Sequence, residues 1–128
     1  MQLLLDTHTF LWYIFGSSLL SVKIRALLDD PANEKLLSLA SIWEVGIKVS
    51  TGKLILAEPL DTYFAEQMEL NSVRLLSISL AHIALLSKLP FHHRDPFDRL
   101  LVAQSLTENI PLVSADPALD AYGVIRIW

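Results

Sequence analysis

The stretch QLLLDTHTFLWYIF (residues 2–15) holds two structural patterns joined at a single acid. Leu3-Leu4-Leu5 is a short continuous apolar run, the pattern of a strand covered on both faces, as strands in parallel sheets are. From Thr7 onward the segment reads as a mostly apolar helix, closed by Gly16-Ser17-Ser18. Asp6 stands at the junction. The start looks faintly like a secretion signal, but it lacks a basic beginning and carries Asp6 and His8 inside the apolar stretch.

The same alternation recurs along the chain. Ser21 is placed to cap a helix over VKIRALLDD (22–30), which Pro31 stops. KLLSLA (35–40) reads as a second strand. Ser41 is expected to cap the next helix, IWEVGIKVSTG (42–52), with Glu44 at its third position. After Pro59, LDTYFAEQMEL (60–70) is an amphipathic helix, VRLLSI (73–78) a third strand, and LAHIALLSKL (80–89) a helix begun at Ser79 and broken by Pro90. A helix from about Asp95 to Glu108 leads to the strand PLVSA (111–115) and a last strand, GVIRIW (123–128). Strands alternating with helices predict an α/β sandwich: a mostly parallel sheet of about five strands with helices on both faces. No repeat, low-complexity tract or linker interrupts it, so one domain over residues 1–128 is expected.

The 128 residues are 52% hydrophobic, with a mean hydropathy of +0.43. That is high for a soluble monomer, and implies a large core or apolar surface that meets a partner. No run approaches the roughly 18 apolar residues of a membrane span. The absence of cysteine excludes disulfides and thiolate metal sites and fits a cytoplasmic protein. A formal charge of −4 argues against nucleic-acid binding through a broad basic field. It does not exclude a nuclease, because metal-binding carboxylates contribute negative charge that cations neutralise.

In open parallel sheets, ligands bind outside the carboxyl ends of the strands. Asp6 ends the first strand, Glu44 lies early in the helix after the second, and Asp116 follows the fourth. Asp98 joins them because a crossover helix runs antiparallel to its strands, so the start of the helix entered through HHRDPFDRLL (92–101) lies on the same edge. Each acid also has an ordinary account. Glu44 could complete a capping box with Ser41, Asp95-Pro96-Phe97-Asp98 makes a good helix start, and Asp116 before Pro117 could cap or turn. Asp6 is harder to dismiss, since an acid directly after a central apolar strand is costly to bury without a partner. Crowded carboxylates repel unless a cation binds among them, and hard oxygen donors select Mg²⁺ or Mn²⁺. The residues therefore point to a Mg²⁺- or Mn²⁺-dependent phosphodiester or phosphate hydrolase using one or two ions.

These blocks, LLLDTHTFLW, ASIWEVGIKVSTGKL, RDPFDRLLVAQS and PLVSADP, in this order, resemble the PIN-domain endoribonucleases, specifically the VapC toxins of bacterial toxin–antitoxin pairs. The resemblance covers nearly the whole chain. It implies that Asp6, Glu44, Asp98 and the more variable Asp116 are metal ligands and catalytic residues, with Asp95 outside the set. Thr7 and Ser114 fall at small hydroxyl positions beside the site, and His8 stands where the family more often carries Asn. It implies RNA phosphodiester hydrolysis by metal-activated water, leaving 5′-phosphate and 3′-hydroxyl ends. It implies a homodimer and a cognate antitoxin whose C-terminal segment lies across the groove.

Arg94, Arg99 and Lys48 are candidate RNA-phosphate contacts, as are Lys53, His92 and His93, though solvated or ion-paired side chains account for them as well. Trp12 and Trp43 could stack bases, but their helical spacing among apolar residues favours core or dimer contacts. His82, in an apolar helix, reads as structural. Two competing functions remain. A haloacid-dehalogenase-type phosphatase also begins with a strand and an Asp, but Asp6-Thr7-His8 supplies no second acid. A PIN-like fold kept only for binding would be marked by loss of the acids, and all four are present.

Overall fold

A computed structural model describes residues 1–128. Its centre is a five-stranded, all-parallel sheet of order β3-β2-β1-β4-β5. The strands are β1 (Gln2–Leu5), β2 (Glu34–Ser38), β3 (Val73–Leu76), β4 (Leu112–Val113) and β5 (Arg126–Ile127). The helices are α1 (Thr7–Phe15), α2 (Val22–Asp29), α3 (Leu39–Ser50), α4 (Leu60–Leu70), α5 (Leu80–Leu86) and α6 (Pro96–Glu108), with a 3-10 helix at Pro117–Tyr122.

Alternation along the strands builds two cores. Leu3 and Leu5 of β1 join Leu37, Val73 and Val113 on one face, packed with Phe10, Ile24, Leu28, Val45 and Phe64 from the first four helices. Leu4 joins Leu36 and Leu112 on the other, with Leu101, Val102 and Ala103 of α6 and Leu119 of the 3-10 helix. Leu3, Leu4 and Leu5 are all fully buried, so the apolar run is explained by burial on both faces. The expected three-layer α/β sandwich is the observed fold.

The strand order carries the functional consequence. β1 pairs with β2 on one side and with β4 on the other. The chain builds outward from β1 through β2 to β3, then returns across to β4. That reversal, between the carboxyl ends of β1 and β4, is where an open parallel sheet leaves a crevice.

One local expectation is corrected. The helix after β2 begins at Leu39, and Ser38, not Ser41, is its cap, accepting from the Ala40 amide. KLLSLA is thus part strand and part helix. Ser41 lies inside α3 and Glu44 in its second turn, so the capping box between them does not exist. By contrast, Asp95 caps α6 as expected, accepting from the amides of Phe97 and Asp98.

Candidate metal centre

Freed from a capping role, Glu44 points into the crevice. It is buried, and Thr7 Oγ1 donates to its Oε1 at 2.7 Å while lying 2.9 Å from Ser41 Oγ. Lys48, one turn along α3, reaches Glu44 Oε2 at 3.4 Å. Asp6 is also buried and caps α1, its Oδ1 accepting from the Thr9 amide at 2.7 Å. The Asp6 amide in turn donates to Val113 O, and Thr9 Oγ1 to the same carbonyl, stitching the ends of β1 and β4 together.

Asp98, in the first turn of α6, is the hub. Burial pushes its carboxyl up from the ordinary 3.8 to about 7, and the nearby charges of Asp95, Asp6 and Glu44 push the same way, against a lowering by His93. Asp6, Glu44 and Asp98, from three different elements, are therefore close enough to repel. Asp116 approaches Asp98 from the other side. Its Oδ1 caps the 3-10 helix through the Ala118 amide, and its Oδ2 lies 2.9 Å from His93 Nε2. His93 Nε2 is also 3.5 Å from Asp98 Oδ2. Ser114, fully buried, accepts from the Asp116 amide rather than touching a carboxylate.

The donor chemistry fits a hard divalent cation. Carboxylate oxygens dominate, and burial with like-charged neighbours raises the Asp98 acid to about 7. Such a set is relieved by Mg²⁺ or Mn²⁺.

The candidate RNA contacts separate in space. Arg94, Lys48 and Lys53 line an open groove of about 400 Å³ beside Glu44, together with Thr51, Ile47 and Phe97. Arg99, expected as a possible phosphate contact, is buried instead. Its guanidinium donates to Pro90 O, Leu89 O and the Tyr122 hydroxyl, and it stacks on Phe91. His92 is exposed against the Tyr122 ring. Trp43 is not core: it is 60% exposed and meets Phe97 edge-on at the groove. Trp12 is half-buried against Trp128. His82 is structural, buried and paired to Glu108 at 2.8 Å. His93, expected as a phosphate contact or a solvated side chain, instead lies among the acids. Its partners lie 5 and 23 positions away, a separation with no periodic signature.

Comparison with known proteins speaks to the family and the fold. The family model described as PIN domain matches residues 3–125. Ribonuclease VapC16 of Mycobacterium tuberculosis is 40% identical over 60 residues, a segment spanning 47% of this chain and 43% of that protein. Among solved structures, VapBC2 of Rickettsia felis, bound to a promoter DNA fragment, superposes with a TM-score of 0.74 at 15% identity, covering 99% of this chain and 98% of that one. VapBC-1 of nontypeable Haemophilus influenzae gives 0.67 at 14% identity, over 99% and 97% of the two chains. FitAcB of Neisseria gonorrhoeae gives 0.67 at 17%, over 98% and 96%. At these identities the structures speak for the fold alone.

Proposed function

The chain belongs to the PIN domain family, and from that premise we propose that it is a Mg²⁺- or Mn²⁺-dependent endoribonuclease, the toxin of a type II toxin–antitoxin pair. The observation that carries this reading is the convergence of Asp6, Glu44, Asp98 and Asp116 at the β1–β4 crevice, with Asp98 held up to about 7 by burial and by its acidic neighbours. Asp6, Glu44 and Asp98 would hold the ion, and Asp116 would hold a second or orient water. A divalent ion there supplies charge neutralisation for a phosphoryl group and acidifies a water molecule.

The chain's own residues do the rest. Thr7 fixes the rotamer of Glu44 by donating to Oε1, so that Oε2 is left toward Lys48 and the crevice. Lys53 and Arg94, which line the groove, would take substrate phosphates. Lys48 lies between, neutralising Glu44 in the metal-free state and within the same groove. The start of α6 adds a preference for anions.

A cognate antitoxin is the proposed partner, supported by the likeness to VapBC and FitAcB. Exposed Leu39, Trp43 and Ile47 on α3 offer apolar surface for a homodimer or that partner. A cytoplasmic location is the one that suits an RNA substrate and a protein antitoxin; no helix is long and apolar enough to cross a membrane.

The test is to map new 5′-phosphate ends in RNA from cells briefly expressing this chain or folded Asp98→Asn. Discrete ends seen only with the parent chain are expected, and would also identify the substrate RNA. No new ends from folded, antitoxin-free protein would reject the nuclease and leave a binding module.

A further inference from the structure

The hydrogen bonds of His93 say more than its nearness to two acids. The ring is half-buried and both nitrogens are engaged. Nδ1 accepts from the backbone N–H of Asp95 at 3.1 Å. A nitrogen that accepts an amide hydrogen bond carries no proton, so the ring proton sits on Nε2. Nε2–H then donates to Asp116 Oδ2 at 2.9 Å, and the same nitrogen lies 3.5 Å from Asp98 Oδ2.

His93, Asp98 and Asp116 offer atoms within 4.8 Å of one another, a spacing that would suit a three-ligand metal site. The hydrogen-bond pattern points elsewhere. An imidazole binds a metal through an unprotonated nitrogen. Freeing Nε2 would move the proton to Nδ1 and set it against the Asp95 N–H. The main chain at His93 is fixed too. Its N–H donates to the Tyr122 hydroxyl at 3.0 Å, which also accepts from Arg99 Nη1 at 3.0 Å. Arg99 holds the carbonyls of Pro90 and Leu89, so the loop before α6 is fastened to α6 and to the 3-10 helix.

We propose that His93 is a positioning residue whose Nε2–H, bonded to Asp116 and 3.5 Å from Asp98, holds the β4-end carboxylate against the start of α6, without itself entering the metal's coordination. The consequence for metal binding rests on the nuclease reading; the placement of the proton does not. Two adjacent carboxylates repel, and a donor bonded to one and close to the other offsets that repulsion. Without it Asp116, at the start of the 3-10 helix, loses its side-chain tie to the loop before α6. Hydrogen-bond partners of metal ligands typically change metal affinity by roughly 10–100-fold.

The test begins with the folded, metal-free protein labelled with ¹⁵N in histidine. Long-range ¹H–¹⁵N correlation should show His93 with its proton on Nε2, and a proton on Nδ1 would overturn the proposal whatever the protein cleaves. Next, Mn²⁺ bound to the parent chain should give no pulsed-EPR signal from a coordinated nitrogen. A coordinated ¹⁴N that vanishes in His93→Gln would make His93 a ligand and also overturn it. Calorimetry with Mn²⁺ should find His93→Ala roughly 10–100-fold weaker. His93→Gln, whose amide N–H can reach the place of Nε2, should retain most of the affinity, and an equal loss in both would reject the positioning role. A folded parent chain that binds no Mn²⁺ would reject the metal reading of the site, and the positioning role with it.

Discussion

Asp98 shows how far a single carboxylate is shaped by its surroundings. Its acid is raised from 3.8 to about 7, first by burial and then by acidic neighbours, so in the metal-free protein it is partly protonated at neutral pH. A group whose folded pKa exceeds its unfolded value takes up a proton on folding. Its contribution therefore favours the folded state at low pH and is lost as pH rises through about 7. Asp98→Asn, which stays neutral, should accordingly raise the melting temperature of metal-free protein more at pH 8 than at pH 5. Equal effects at both pH values would mean that the acid is not buried among like charges. Metal affinity moves the opposite way, because a ligand must be deprotonated. Parent Mn²⁺ affinity should rise between pH 6 and 8, measured by calorimetry in buffers of matched ionic strength. Glu44 and His93 show the limits of local reading at single positions. The Ser41–Glu44 spacing imitates a capping box, yet both residues lie within a helix that starts earlier. His93 gains its role from a carboxylate 23 residues away.

The helix α6 separates two acids that the sequence sets three apart. Asp95 accepts from the amides of Phe97 and Asp98, which fixes the helix start, and its charge also raises Asp98. These two effects can be pulled apart. Asp95→Asn keeps a side-chain oxygen for the cap and removes the charge, so it should preserve stability while moving the midpoint of pH-dependent Mn²⁺ binding to lower pH. Asp95→Ala should remove both and cost about 0.5–2 kcal/mol of stability in denaturant unfolding. If Asp95→Asn leaves the binding midpoint in place, the charge coupling along this turn is not felt at the site. Elements of this kind were readable because their signals are local: an N-cap acid, Pro96 at the first position, or Ser21 and Ser79 with their amides. The boundary between β2 and α3 was not, because Leu36 to Ala40 is apolar enough for either and only Ser38 marks the change. β4 and β5, of two residues each, take their identity from pairing rather than propensity.

The order β3-β2-β1-β4-β5 has no local signature, and it is what brings four scattered acids to one crevice. The alternation of strands and helices sufficed to place Asp6, Glu44, Asp98 and Asp116 on one edge; the reversal between β1 and β4 determines that they meet. An opposing account is available at the level of the whole chain. Asp6 caps α1 and Asp116 caps the 3-10 helix, so each acid already has structural work. The two accounts part over metal. An ion bound only by the folded state adds about 2.7 kcal/mol of stability at 100 times its dissociation constant. For a chain of this length that corresponds to roughly 10 °C in melting temperature. Mn²⁺ should produce such a rise in the parent protein. Asp6→Asn retains an oxygen to accept from the Thr9 amide and so keeps the cap, but it removes a charged ligand. Its melting temperature without metal should stay near that of the parent, and its response to Mn²⁺ should fall away. If Asp6→Asn instead melts early and still responds fully to Mn²⁺, Asp6 serves the helix alone and the ion is held without it.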